Sequence, residues 1–358
     1  MTDMDKYADK PRVLMVGPDR SVHGGISAMV NNYYDAGLDK GVDLKYIGTM
    51  KEGSRAKKLV VAAAAYFKFL FFLRDYDIVH VNASSDSSFM RKSFFIRAAK
   101  RHGKKIILHQ HGGDFRNYYE NQISQKRREY IKRTLDMADI VFVLTESWRD
   151  YFGKITDPGK IIVLPNGIVT SYKHIHENIP EHSLYKILFL GRVCRDKGMD
   201  ELLEAVDKIH VTNPDVRLYI GGIYEDKSYE KKIADRSEYI KFAGWVTGED
   251  KQKLLDECGI LVLPSYYEGF PVSIVEGMYN GLVTVASSVG GIPEIIESGK
   301  NGMLIPAKDS ASLEKTLRLI IEKQVNVEEI IENGRRTVAE KYSVERDLEI
   351  LIELYKKM

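Results

Sequence analysis

Short apolar runs alternate with stretches of helical periodicity along most of the chain. Arg12–Val16 reads as a strand, followed by a Gly/His turn and a helix from about Ile26. Asp77–Val81 (DIVHV), Lys105–Leu108 (KIIL), Ile140–Leu144 (IVFVL) and Ile161–Leu164 continue the series. A polar passage, Thr170–Ser183 (TSYKHIHENIPEHS), interrupts it and is the expected linker. The rhythm resumes with Lys186–Leu190 (KILFL), a helix from Met199, and the runs Val216–Ile220, Ile240–Phe242, Ile260–Leu263 and Leu282–Ala286. Strands that are apolar at successive positions are buried on both faces, as in parallel sheets covered by helices. Two such series predict an α/β chain of two doubly wound domains, whose ligands bind beyond the carboxyl ends of the strands. A closing helix, Val344–Tyr355, carries Leu348, Leu351, Ile352 and Tyr355 on one face, a spacing that buries that face without naming the domain it covers.

One segment departs from the pattern. Leu59–Leu73 (LVVAAAAYFKFLFFL) is nearly all apolar over fifteen residues, with Lys68 inside. A bilayer span needs about 20, so a buried or interfacial helix is expected. The full chain of 358 residues is comfortable for two domains. Its 44% apolar and 29% charged content is ordinary for a globular protein. The net charge of +2 hides an asymmetry: residues 1–170 hold 28 Lys and Arg against 19 Asp and Glu, and residues 171–358 hold 25 against 32. A basic first half suggests that one domain meets something anionic. Two cysteines, Cys194 and Cys258, are too few for a disulfide framework and read as reduced thiols. The charged opening MTDMDKYADK lacks the apolar core of a secretion signal, which gives the expectation of a cytoplasmic chain.

The chemistry concentrates at strand ends. Pro264–Gly277 (PSYYEGFPVSIVEG) follows an apolar strand and sets Glu268 in a turn and Glu276 in the next helix, eight residues on. Pro271 is expected at the first helical position, where its missing N–H costs nothing. The free N–H groups of that first turn make an anion site. Gly191–Gly198 (GRVCRDKG) follows another strand, with Arg192 and Lys197 around a turn that opens the Met199 helix. A guanidinium and an ammonium there suit a diphosphate, with one bidentate contact and one point charge. A solvated basic turn is the plainer reading of that stretch taken alone.

Other signals are weaker. Met15–Ser27 (MVGPDRSVHGGIS) has the strand, Gly-rich loop and helix of a phosphate-binding turn without a dinucleotide or P-loop spacing. Gly24 and Gly25 would let backbone approach a ligand. His109–Asp114 (HQHGGD) places two histidines at a strand end, away from the helical spacing of metal ligands. A histidine aimed into a cleft is the better motivated role. Pro165-Asn166-Gly167 is a turn by composition. Gly244, in FAGWVT, suits either a backbone contact to a flat base or a structural turn.

Taken in order, these elements resemble the retaining GT-B glycosyltransferases of glycosyltransferase family 4. The GG loop, DIVHVN, HGGD, PNG, GRVCRDKG, FAGWV, EGFPVSIVE, GGIPEII and GKNGMLI span Val13 to Ile305. The paired glutamates with an upstream Arg and Lys are specific, whereas the GG loop is not. The resemblance implies two Rossmann-like domains facing across a cleft. The first, residues 1–170 with 343–358, would bind the acceptor, the closing helix crossing back to it. The second, residues 171–342, would bind a nucleotide-sugar. Glu268 would contact the donor sugar and Glu276 the ribose. Arg192, Lys197 and the N–H groups around Phe270, Pro271 and Val272 would neutralise the diphosphate. His111 would lie near the transferred sugar, and Gly24 and Gly25 near the phosphates. The chain departs from common members at Ile168 and Val169, where an acid often stands, at Gly277 for Ala, and at Val283 for Pro.

The implied activity is retaining, metal-independent hexosyl transfer from a nucleotide-sugar co-substrate, UDP-sugar ahead of GDP-sugar, with no tightly bound cofactor. The acceptor is a saccharide or a lipid-linked sugar of cell-surface polysaccharide or glycolipid assembly. A nucleotide-sugar epimerase and a non-catalytic sugar or lipid-phosphate binder are the alternatives. Basic residues interleaved with aromatics in Arg91–Lys105 (RKSFFIRAAKRHGKK) and Lys126–Arg133 (KRREYIKR) suit an anionic membrane surface, hence peripheral association with the inner face of the plasma membrane. A solvated helix face is the plainer reading, and no recognised nucleic-acid module is present.

Overall fold

Each run read as a strand becomes one in the computed structural model, which describes residues 10–112, 114–170 and 182–358. The expected linker Thr170–Ser183 lies, apart from its ends, outside the described residues, as does Gly113. The chain divides into two units, Met1–Val169 with Val344–Met358, and Thr170–Ser343.

The first unit holds β1 (Arg12–Gly17), β2 (Asp43–Gly48), β3 (Ile78–Ala83), β4 (Lys105–Gln110), β5 (Ile140–Val143) and β6 (Ile161–Val163). They form one sheet in the order β2-β1-β3-β4-β5-β6, with every neighbouring pair parallel. Successive side chains of a strand point to opposite faces. Leu14 and Val16 therefore join one core with Val79, Val81, Ile106 and Leu108. Val13 and Met15 join the other, with Ile78, Ile107 and Phe142.

Helix α1 (Gly25–Asp35) covers the second face through Met29, Val30 and Tyr33. The closing helix Val344–Lys357 lies on the same face, burying Val344, Leu348, Leu351 and Tyr355. The chain returns to this unit at a backbone bond from Val344 N–H to the Ile168 carbonyl, 2.8 Å long. The other face is covered by α2 (Arg55–Leu73) and α3 (Asp86–Arg101), joined through an edge-to-face contact of Phe69 and Phe95 at 5.0 Å.

The second unit repeats the scheme with β7 (Ser183–Leu190), β8 (Arg217–Gly221), β9 (Ile240–Gly244), β10 (Cys258–Leu263), β11 (Val283–Ser287) and β12 (Met303–Ile305). Their order is β12-β11-β10-β7-β8-β9, again all parallel. The periodicity did not reveal β2 and β12. Both are edge strands whose residues are mostly half-buried, so neither shows a continuous apolar run.

Strand order reverses beside β1 in the first sheet and between β7 and β10 in the second. At such a point the loops after the two strands diverge and leave a crevice. In the second unit those loops are Gly191–Gly198 and Pro264–Pro271.

The basic helical stretches differ from expectation. Lys92 is buried and donates to Thr49 Oγ1, and burial pulls its ammonium down to about 7. The Arg97 guanidinium lies over the Tyr130 ring at 4.2 Å. Part of the positive charge read as a surface feature therefore packs inside the unit.

Candidate active site

Two short turns build the site of the second unit. After β7 the chain makes a single 3-10 turn, Arg195–Lys197, and reaches Gly198 at φ 69° before helix α4 (Met199–Thr212). Only a residue without a Cβ fits there: a Cβ on Gly198 would meet the Pro264 carbonyl oxygen at 2.0 Å. The loop after β10 is thus seated directly against the loop after β7. Tyr266 N–H bonds the Asp196 carbonyl at 2.9 Å across the same junction. Gly290, at φ 53°, closes the other side, where a Cβ would meet the Glu268 carbonyl oxygen at 1.8 Å.

This packing brings Lys197 and Glu268 together. Lys197 Nζ donates to Glu268 Oε1, with side chains only 17% and 12% exposed. Ser265 Oγ donates to the same oxygen at 2.7 Å. Glu268 is therefore oriented from two sides. Arg192, at the end of β7, is half-exposed and pairs with Glu225, its Nη1 lying 2.7 Å from Glu225 Oε1.

Helix α6 (Val272–Tyr279) begins one residue later than expected. Pro271 precedes it, at φ −79° and ψ 106°, as the capping residue rather than the first helical one. The ring still fits, because a proline in extended backbone directs the chain into a helix without needing an N–H. The Phe270 side chain is buried, edge-to-face with Tyr342 at 5.3 Å. Glu276 lies in the second turn and accepts from Lys251 Nζ at 2.6 Å, Lys251 standing on α5 (Gly248–Glu257). Gly244 ends β9 at φ 71°, and a Cβ there would meet open space, so the left-handed backbone alone favours glycine.

In the first unit His111 follows β4. Its N–H bonds the Ala83 carbonyl at 2.8 Å, tying the loop to the end of β3. Its Nε2 donates to Asn82 Oδ1 at 3.0 Å. Burial pulls the imidazole down to about 3, against a smaller opposing contact with Asn166 of the PNG turn. The ring is neutral near pH 7 and serves as a hydrogen-bonding group. His80 and His109 behind it are also depressed, first by burial and then by the neighbouring His111. Gly24 and Gly25 stand at the start of α1 with open space among the described residues where a Cβ would be.

Five residues of this chemistry were not singled out from the sequence: Ser265, Glu225, Lys251, Asn82 and Asn166. Ser265 lay inside the EGF-bearing segment and Asn166 inside the PNG turn. Glu225 and Lys251 reach their partners across 33 and 25 residues, a separation with no periodic signal. Among the described residues no group of three or more His, Cys, Asp or Glu is placed to hold a metal ion. No helix among them is long and apolar enough to cross a membrane.

The chain is similar to known proteins in sequence and in fold. The family model for Glycosyltransferase Family 4 matches residues 37–172, and that for Glycosyl transferases group 1 matches residues 173–337. An uncharacterized glycosyltransferase of Methanocaldococcus jannaschii is 31% identical over 176 residues, 48% of this chain and 44% of that one. The GDP-mannose:cellobiosyl-diphosphopolyprenol alpha-mannosyltransferase of Xanthomonas campestris is 25% identical over 240 residues, 65% of this chain and 61% of that one. The chain thus spans about half of the length of these relatives. The crystal structure of Anabaena HepE in complex with UDP superposes with a TM-score of 0.75 at 16% identity, covering 97% of this chain and 100% of that one, a likeness of fold. With both of its units matched in order by the family's models, the chain belongs to glycosyltransferase family 4 and has the GT-B fold of two Rossmann-like domains.

Proposed function

We propose that this chain transfers a glycosyl group from a nucleoside-diphosphate sugar, with UDP-sugar favoured over GDP-sugar, to a saccharide or lipid-linked acceptor in the assembly of a cell-surface polysaccharide or glycolipid. The observation that carries the reading is the Lys197–Glu268 pair at the switch point of the second sheet, directly ahead of the helix that starts at Val272.

Breaking the anomeric C–O bond builds negative charge on the departing diphosphate and positive charge on the sugar ring. Positive groups fixed at the leaving oxygen are the strongest means of lowering that barrier. Arg192, Lys197 and the N–H groups of the first turn of α6 supply them. Glu268 bonds the sugar hydroxyls and holds Lys197 in position, and Glu276 bonds the ribose. The configuration is retained by a front-face route, in which the departing phosphate accepts the acceptor's proton and no protein nucleophile is needed. The neutral His111 donates to or accepts from the sugar without adding charge. The first unit takes the acceptor and the second the donor, and the enzyme works at the inner face of the plasma membrane.

A thermal-shift screen with UDP, GDP, ADP and their sugar conjugates, with and without magnesium, tests this. A ligand at 100 times its dissociation constant adds about 2.7 kcal/mol. The expected result is a shift with one nucleotide, independent of magnesium and lost in Glu276→Ala. No shift with any nucleotide counts against the donor site. Donor consumption without an acceptor would favour an epimerase, and binding without turnover a non-catalytic binder. The anomeric coupling of the product by NMR tests retention.

A further inference from the structure

Helix α2 has the wrong polarity for a surface helix. Its inner side buries Ala65, Phe69 and Leu73. Its outer side repeats apolar residues at helical spacing: Val60 is 69% exposed, Phe67 72% and Phe71 65%, with Leu59 at 72% beside them. On the helix packed next to it, Phe94 is 57% exposed. A helix that is apolar all round is ordinarily buried all round, and a contiguous exposed patch of this kind marks a surface that meets another apolar phase.

Charge identifies that phase. The nineteen residues of α2 include no Asp or Glu. Lys57, Lys58 and Lys68 are exposed on it and form no ion pair among the described residues. A second copy docking face to face would set these lysines against one another with no carboxylate of either helix to pair with. A bilayer with anionic headgroups offers an acyl boundary for the phenylalanines and phosphates for the lysines.

We propose that the outer face of α2 is a docking surface for an anionic lipid bilayer, with Val60, Phe67 and Phe71 entering the acyl boundary and Lys57 and Lys68, which flank them on the helix, meeting the phosphates. The helix lies in the interface and does not cross it. This deepens the reading of a lipid-linked acceptor and rests on it for its purpose, but vesicle binding is measured without donor or turnover, so either can fail alone.

The test is co-sedimentation of the full chain with vesicles of phosphatidylglycerol and phosphatidylcholine, against phosphatidylcholine alone. Binding is expected on the anionic vesicles only and is expected to fall about tenfold or more in F67S/F71S. Both side chains are exposed, so the fold should tolerate the change. A second variant, Phe67→Trp, keeps the face apolar and is expected to show a blue-shifted tryptophan emission on the anionic vesicles. Absence of binding at low salt overturns the proposal. Binding that survives F67S/F71S also overturns it and assigns contact to other basic surfaces. A concentration-dependent dimer that F67S/F71S abolishes, without vesicle binding, would make a second copy the occupant instead.

Discussion

Lys197 and Glu268 stand 71 residues apart in the chain and meet as a hydrogen-bonded ion pair, both more than four-fifths buried. Each comes from a different turn, and the two turns are locked by the contact of Gly198 with Pro264. The pair is thus a product of the sheet order, which sets β7 beside β10. The pairing and the low exposure of both side chains hold the Lys197 ammonium in one place.

Removing either positive group tests the stabilisation of the leaving diphosphate. Lys197→Ala is expected to lower kcat at least about a hundredfold, equivalent to ~2.7 kcal/mol or more of transition-state stabilisation. Arg192→Ala is expected to do the same, although its side chain is half-exposed. Steady-state kinetics with the donor identified by thermal shift measures both, and near-native turnover in the pair of variants would refute the assignment.

Glu225 pairs with the half-exposed Arg192 guanidinium. Exposed pairs of this kind contribute only ~0.2–1 kcal/mol, so donor binding can exchange one for the other. Glu225→Gln is expected to tighten nucleoside-diphosphate binding up to about fivefold by calorimetry. Unchanged or weaker affinity would mean that the pair positions Arg192 instead of occupying it.

The histidine layer of the first unit makes stability fall in acid. His80 and His111 are pulled down to about 3, and His109 well below its ordinary value, each chiefly by burial. For His80 and His111 the stabilising contribution is complete above about 6.5 and is lost as pH falls towards 3, and His109 acts in the same direction. Asp347 acts in the opposite sense. Burial raises it to about 8, so its contribution is complete below the ordinary carboxylate range and is lost as pH rises towards 8. Three histidines outweigh one carboxyl, and denaturant midpoints are expected to drop between pH 6.5 and 4. His80→Asn should make that slope shallower by up to about one proton; an identical slope would show that His80 titrates normally.

Interior strands were readable because they are buried on both faces, as in β3 and β10, where all six residues are buried. The edge strands β2 and β12 were not, since half-burial leaves no continuous apolar run. Glu268 and Glu276 were readable because a turn and a helix fix their spacing locally. Lys251 and Glu225 were not, because they approach from separate helices and loops that only the folded sheet brings close. The run Leu59–Leu73 was legible as one helix. Which half of its circumference stays uncovered depends on where Phe95 packs, and that is decided by tertiary structure.

The first unit is completed by residues far from its start. Val344, Leu348, Leu351 and Tyr355 fill the same core as Val13, Met15 and Met29. During synthesis those early residues leave the ribosome well before their partners exist, and the whole second unit, Thr170–Ser343, is made in between. The second unit is one unbroken stretch and can reach its native core while the first still exposes an apolar face. Nascent chains should therefore need protection of that face until translation passes Tyr355, and a chain stopped at Ser343 should aggregate through it.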